Sequence, residues 1–467
     1  MDCRSILKRY SEEYSNLFRL GLPVLVTQLG VIMVSFADTM MVGAYGVDEL
    51  AASAFVNSLF VIPIVMQIGF AQGLTPLIGA LFGKERRGVR DNKETKSIKY
   101  VQDETGATLR AGVQINVAVS VVISVIMCIL YFFLDWFGQP TELLPLIKEY
   151  YLIILASVLP LSIFNTFQQT CNGLNDTAMP MWMMLGSNVL NIFGNWVLIF
   201  GHLGSPEMGL AGAGISTLIA RYASALAIVV IFFSSSRYRP YISGFRSKKS
   251  LGMIRRNVWF TSYPVMIQSG VECLLWSVGA VVSGWFGKIQ LAAYQVVNTM
   301  SQLGFMTYIS FGTAASIRIA NHTGRKDWQG VTRTSTAGLH LILLLSTLSS
   351  AIFLFGGKWI ISCFTPDTRV IEVALTLIAP LVIYQYMDAI QLTYCNAIRG
   401  TSQVKSLLWI AVTTYILIGL PVLLLFAKTF NGGTVGVYYS FNVVLFVAAL
   451  FYTTTFYRIV KKEKNED

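Results

Sequence analysis

The stretch PVLVTQLGVIMVSFADTMMVG, residues 23–43, ends a long apolar run with a single carboxylate, Asp38. An ionised side chain inside a bilayer costs about 3 kcal/mol or more, so such residues are rare and usually face a protein interior or a water-filled cavity. Two further acids have the same setting: Glu272 in VMIQSGVECLLWSVGAVV and Asp388 in VIYQYMDAIQLTY. This placement predicts that the three acids serve a membrane transporter.

The composition supports a membrane protein. Of 467 residues, 54% are hydrophobic and 13% are charged, whereas soluble proteins carry about 25% charged residues. Apolar runs recur that can cross a hydrocarbon core of about 30 Å, and they are too long for barrel strands. We predict an all-α polytopic membrane protein with twelve transmembrane helices, near 17–42, 50–82, 108–135, 146–171, 180–201, 208–234, 257–285, 291–316, 332–355, 369–398, 406–427 and 433–457.

The net charge of +11 follows the predicted topology. Lysine and arginine concentrate after the second span, after the sixth span and in the tail, and the alternate loops are nearly free of them. Because positive loops stay on the cytoplasmic side, we expect both termini to be cytoplasmic. A nucleic-acid partner is not expected, since no basic soluble domain is present. The mixed-charge segment 83–107 is predicted to be a solvated loop or a short surface helix.

Several features are expected to be absent. No cleavable signal peptide is recognisable at the N-terminus. The six cysteines are scattered and show no metal-ligand spacing, so neither disulfides nor a metal cluster is predicted. HExxH, Asp-rich prenyl-diphosphate and Ser/His signatures are also missing, so we do not expect an enzyme or a cofactor.

The chain repeats itself. A shift of 241 residues matches Pro23 with Pro264 and Leu50-Ala51-Ala52 with Leu291-Ala292-Ala293, and CNGLNDT (171–177) matches CNAIRGT (395–401). Two copies with six spans each enter the membrane from the same side, which predicts six-helix bundles related by a pseudo-two-fold axis along the membrane normal. The predicted lobes are 1–235 and 257–467, joined by a basic cytoplasmic linker at 236–256.

Polar side chains inside the first lobe define a candidate cation-coupling site. Asn188, Asn191 and Asn195 share one helical face of the fifth predicted span. Asp38, in the outer half of the first span, could meet Asn195, and Thr217 in the sixth span could add a hydroxyl. A carboxylate with amide oxygens suits Na⁺ when ionised and accepts a proton otherwise. The alternative is that the asparagines only hydrogen-bond neighbouring helices and that Asp38 is hydrated near the surface.

The second lobe holds a candidate coupling and substrate site. Glu272, Asp388 and Tyr384, one turn before Asp388, lie inside two predicted spans. Two acids near one cavity favour proton exchange, Na⁺ binding or pairing with a cationic substrate. The alternative is a structural hydrogen bond to a neighbouring helix.

Pro23 lies inside the first predicted span, fifteen residues before Asp38. Proline bends a helix and frees a carbonyl group. We therefore expect a helix bend at Pro23 that responds to protonation or loading of Asp38.

Six segments together resemble one family, multidrug and toxic compound extrusion (MATE), especially its NorM-like branch. They are PVLVTQLGVIMVSFADTMMVG, ELAASAFVNS, GLTPLIGALFGKERR, LNIFGNWVLIFG, LAAYQVVNTMSQLGFMTYISFGTAASIR and YQYMDAIQLTYCNAIRG. The resemblance covers nearly the whole chain. Its one departure is a charged insert at 91–106.

The resemblance implies a two-lobed, twelve-helix antiporter of the plasma membrane, the inner membrane of a bacterium. Such a protein exports cationic or lipophilic drugs in exchange for Na⁺ or H⁺, and we expect it to be a monomer. Asp38, Asn191 and Asn195 match the family's first-lobe cation site, and Glu272, Tyr384 and Asp388 match the second-lobe site. A flippase for a lipid-linked saccharide, from the same broad superfamily, is the alternative, although such flippases tend to need a cationic cavity.

Overall fold

The computed structural model describes residues 3–91, 95–247, 251–430 and 432–466. Lys93 in the charged insert, and Lys248 and Lys249 in the predicted linker, lie outside these ranges. All regular secondary structure in the described ranges is helical. Our labels number the α-helices in chain order.

The chain forms two compact units. One contains residues 26–266, and the other contains residues 1–25 together with 267–467. Both boundaries fall inside long helices, shortly after Pro23 and Pro264, the two prolines that the 241-residue shift matches. The predicted lobes, 1–235 and 257–467, and the linker at 236–256 between them stay a prediction.

The 26–266 unit contains the second part of α1 (Cys3–Tyr45) and the first turns of α10 (Gly252–Gly284). Between them lie α2 (Val47–Gln72), α3 (Leu74–Arg90), α4 (Thr95–Tyr131), α5 (Leu144–Ala156), α6 (Val158–Gly173), α7 (Ala178–Phe200), α8 (Gly209–Ser234) and α9 (Arg239–Arg246). Short 3₁₀ turns cover Leu134–Phe137 and His202–Gly204.

The other unit contains the start of α1 and most of α10. It continues with α11 (Lys288–Arg325), α12 (Trp328–Phe364), α13 (Thr368–Thr376), α14 (Ile378–Gly400), α15 (Lys405–Ala411), α16 (Leu420–Leu424) and α17 (Gly433–Glu466). Two wider π-helical stretches, Val412–Gly419 and Leu425–Thr429, flank α16.

The helices reproduce the predicted spans. Within the described ranges ten helical segments are long and apolar enough to cross a membrane, and α13 with α14, bent by 46°, makes an eleventh. The one remaining predicted span, 291–316, corresponds to α11, whose 38 residues are ample in length but include many polar side chains. Pro23 lies within α1, which the structure gives as one helix from Cys3 to Tyr45. A bend that responds to Asp38 stays a prediction.

The later part of the repeat is displaced by three residues from the predicted match. Helices α6 and α14 end at Gly173 and Gly400. Two residues beyond these ends, Asn175 and Ser402 both adopt positive φ, 60° and 63°. The structure therefore matches CNGLNDT with IRGTSQV, residues 398–404, because the helix ends and their turns must coincide.

The charged insert and the predicted linker pack against each other. The insert continues into the start of α4, and the linker contains α9, so neither segment is an extended loop where the structure describes it. Gly106 and Gly244 bring the two backbones together, since a Cβ atom at either position would overlap the opposing chain. The Tyr241 hydroxyl donates to Glu85 at 2.9 Å. These contacts fix how α9 is rotated.

A buried ion pair attaches the start of α1 to its own unit. Glu13 is 3% exposed, and its carboxylate accepts hydrogen bonds from Arg318 at 3.1 and 3.2 Å and from the Thr334 hydroxyl at 3.0 Å. Arg318 lies on α11 and Thr334 on α12. This pair explains why residues 1–25 belong to the unit that contains 267–467.

Removal of the Glu13 charge tests this attachment. Glu13→Gln leaves Arg318 buried without its counter-charge, which typically costs about 3–5 kcal/mol. We expect a clear drop in the thermal unfolding temperature of the detergent-solubilised protein. Glu12→Gln, at the exposed preceding residue, serves as the control. Equal unfolding temperatures for the two variants would contradict the assigned role.

Candidate functional site

The four residues predicted for the first site lie together within the 26–266 unit. Asp38 comes from α1, Asn191 and Asn195 from α7, and Thr217 from α8. The Asn195 amide nitrogen donates to Asp38 Oδ1. With its amide nitrogen facing the same oxygen, Asn191 donates at 2.9 Å and accepts from the Thr217 hydroxyl at 3.2 Å. Asp38 is half-buried, whereas Asn195 is fully buried.

In the amide orientation that satisfies the hydrogen bonds of Asn191, both amides face Asp38 through N–H groups. This arrangement satisfies an ionised carboxylate with two N–H donors. A proton can bind the carboxylate directly, whereas Na⁺ needs oxygen ligands and therefore requires the amides to turn their carbonyl oxygens inward. Asn188, on the same face of α7, lies against Gly30 on α1 and has no hydrogen bond to Asp38.

Sequence reasoning left one charged residue of this site unexplained. Arg221 lies one turn beyond Thr217 on α8, and its Nη1 donates to the Ser157 hydroxyl at 2.6 Å. Ser157 is the residue between α5 and α6. Arg221 is close enough for its charge to act on Asp38 and Tyr150. The signal in the sequence was the four-residue spacing from Thr217, which places both side chains on one face.

The second site lies within the other unit and is built around Glu272 on α10. Gln268, one turn earlier, donates to Glu272 Oε2 at 2.7 Å, and its oxygen accepts from Arg399 Nη2 at 3.1 Å. Arg399 lies on α14 and is 6% exposed. Gln268 therefore links a carboxylate to a buried guanidinium. Sequence analysis missed both partners, although an arginine in the apolar segment YCNAIRG was a visible signal.

Asp388 lies on α14, close enough to Glu272 for their charges to interact. It is 1% exposed, and its Oδ2 atom has no hydrogen-bond partner among the residues that the structure describes. One turn earlier, Tyr384 packs its ring against Trp276 with 5.5 Å between centroids. The structure thus brings all three residues predicted for this site together.

A hydrogen-bonded pair next to this site was also missed. Gln391 is fully buried on α14 and donates to the Tyr415 hydroxyl at 2.8 Å. Tyr415 belongs to the π-helical stretch Val412–Gly419 and is placed to hydrogen-bond Glu272. Wider π-turns are frequent at functional sites.

The sequence of this chain is similar to those of known proteins. The MatE family model matches residues 23–90, 102–197 and 264–425. Its first gap covers most of the charged insert. The probable multidrug resistance protein NorM of Photorhabdus laumondii is 27% identical over 443 residues, which cover 94% of each chain.

Solved structures share the fold. A mutant of the Vibrio cholerae MATE transporter VcmN superposes with a TM-score of 0.84 at 17% identity, covering 97% of this chain and 98% of that one. An outward-facing multidrug resistance MATE family transporter gives a TM-score of 0.84 at 16% identity, covering 97% of each chain. The fold is therefore the two-lobed, twelve-helix architecture predicted from the sequence.

Stability measurements can distinguish a structural role of Asp388 from a functional one. A buried carboxylate with an unpaired oxygen does not favour folding. We therefore expect Asp388→Leu to keep or raise the thermal unfolding temperature in detergent. Gln391→Leu, on the same helix, should lower the stability by about 1–3 kcal/mol, because it breaks a buried hydrogen bond. A larger loss for Asp388→Leu than for Gln391→Leu would assign Asp388 a structural role.

Proposed function

This chain belongs to the MatE family, and from that membership we propose that it is a secondary antiporter that exports cationic or lipophilic drugs in exchange for Na⁺ or H⁺. Its relatives are named multidrug resistance proteins, which supports drugs as the substrates. The protein is a multi-pass membrane protein. We further propose that it acts as a monomer in the bacterial inner membrane, with both termini cytoplasmic and no cofactor.

The observation that carries this proposal is Asp388. It is an almost fully buried acid with an unpaired oxygen, and Glu272 lies within range of its charge. Burying such a group is costly unless it binds something during the cycle. A coupling ion or a cationic drug would supply the missing partner. Asp38, with its two amide donors, offers a third carboxylate, in the 26–266 unit.

The proposed cycle follows from competition for these carboxylates. A cation that neutralises an acid weakens the attraction between that acid and a cationic drug, so ion entry and drug release become linked. Alternating access then requires that the protein opens to each side in turn. The proposed roles are cation coupling for Asp38, Asn191, Asn195 and Thr217, and coupling or drug binding for Glu272, Tyr384 and Asp388.

The flippase alternative receives less support from the charged groups inside the helices. Arg221 and Arg399 are cationic, but each is close enough to an acid, Asp38 or Glu272, for their charges to interact. A cavity that recognises a diphosphate-linked saccharide needs an excess of positive charge. We therefore keep antiport as the proposal.

Transport in proteoliposomes tests the proposal. Movement of a fluorescent organic cation is followed while a Na⁺ gradient or a pH gradient is imposed alone. We expect one gradient to drive transport by the wild type and so to identify the ion. Because exchange needs the acids, Asp38→Asn, Glu272→Gln and Asp388→Asn should transport no faster than protein-free liposomes.

Matched controls remove exposed acids from each unit. Asp48→Asn in α2 and Glu372→Gln in α13 change solvent-exposed carboxylates and should transport like the wild type. Normal transport by all three site variants would refute the assigned sites. Failure of folded wild-type protein to move the cation under either gradient would shift the weight to the flippase alternative.

A further inference from the structure

A groove lies at the end of α8 and along α9, beyond the candidate-site residue Thr217 on α8. Its volume is about 560 Å³, and it lies within the 26–266 unit. Its lining combines an apolar and a polar part: Phe233, Ser234, Ser235, Ser236, Arg239, Ile242, Ser243 and Arg246.

Helix α9 presents two arginines to this groove. Arg239 and Arg246 are seven residues apart, so they lie on one helical face two turns from each other. Tyr241 and Gly244 lie buried on another face, and the close crossing of Gly244 with Gly106 holds that rotation. The crossing therefore fixes the face of α9 on which both arginines lie.

The groove carries an excess of positive charge. Arg239 and Arg246 are exposed and form no ion pair within the described ranges. Arg237, by contrast, pairs with Asp176 at 3.1 Å. One acid contacts the lining: the carboxylate of Asp103 accepts a hydrogen bond from Ser243. The lining thus contains two guanidinium groups, and the one carboxylate in contact with it already accepts a hydrogen bond.

These groups match a phosphate. The planar guanidinium fork binds phosphate oxygens in pairs, and serine hydroxyls add neutral donors. The position of the groove indicates which kind of molecule carries that phosphate. Helix α8 has the length and composition of a membrane span and ends at Ser234. The groove therefore lies at the depth of lipid headgroups, with Phe233 and Ile242 beside them.

We propose that this groove binds the phosphate of an anionic phospholipid headgroup, with Arg239 and Arg246 on the phosphate oxygens and Phe233 and Ile242 against the start of the acyl chains. Basic pockets between membrane helices on the cytoplasmic side are a known way of holding such lipids. The bound lipid would join the end of α8 to α9. This site does not depend on the antiport proposal.

Lipid titration of the delipidated full-length protein in detergent tests the site. Native mass spectrometry counts bound phosphatidylglycerol, with zwitterionic phosphatidylcholine as the comparison. We expect preference for phosphatidylglycerol, and a rise in its Kd of about thirtyfold in Arg239→Gln/Arg246→Gln. Lys461→Gln/Lys462→Gln, which removes two exposed charges from α17, should change the Kd by less than about twofold.

Two further arms decide the outcome. The unfolding temperature in lipid-free detergent should match the wild type, because both arginines are exposed. Inorganic phosphate is added as a competitor to distinguish a headgroup from a free phosphate. Equal phosphatidylglycerol binding by the wild type and the double arginine variant would overturn the proposal. Displacement of the lipid by inorganic phosphate at concentrations equal to those of the lipid would overturn the lipid as its source.

Discussion

Hydrocarbon offers no hydrogen bonds, and this constraint governs every ionised side chain inside the bundles. A charge buried there has to find its partners within the protein. Arg221 donates a hydrogen bond to the hydroxyl of Ser157, and Arg399 donates one to the amide oxygen of Gln268. Asp38 accepts hydrogen bonds from the amide nitrogens of Asn191 and Asn195. Asp388 is less completely paired, since one of its carboxylate oxygens has no hydrogen-bond partner among the described residues.

The two candidate sites satisfy this constraint in different ways. In the 26–266 unit, neutral amides contact the acid directly, and an arginine lies close enough for its charge to act on the acid. In the other unit, a glutamine stands between Glu272 and Arg399, so acid and guanidinium are joined through one neutral side chain. An acid held this way stays open to a proton, a metal cation or a cationic ligand.

Interruptions in the helices position some of the polar groups that contact these charged side chains. Ser157, between α5 and α6, gives Arg221 its hydroxyl partner, and the π-helical stretch after α15 carries Tyr415 toward Gln391. Where a span is interrupted or widened, side chains can reach groups that a regular helix would direct elsewhere. The irregular turns therefore lie beside the polar groups of both units. The remaining, regular helices provide the apolar packing around them.

The sequence by itself determined the helical class, the spans, the repeat and the three intramembrane acids. These properties depend on local composition, since a run of apolar residues must be helical in a bilayer wherever its neighbours lie. The sequence also identified Asn191, Asn195 and Thr217 as companions of Asp38, because helical periodicity assigns residues to faces. The tertiary structure decided which faces meet. It placed Arg221 near Asp38, linked Glu272 to Arg399, moved the later repeat match to residues 398–404 and made a packed helix of part of the linker. Contacts between helices depend on how each helix is rotated and where it begins, and hydropathy does not specify either.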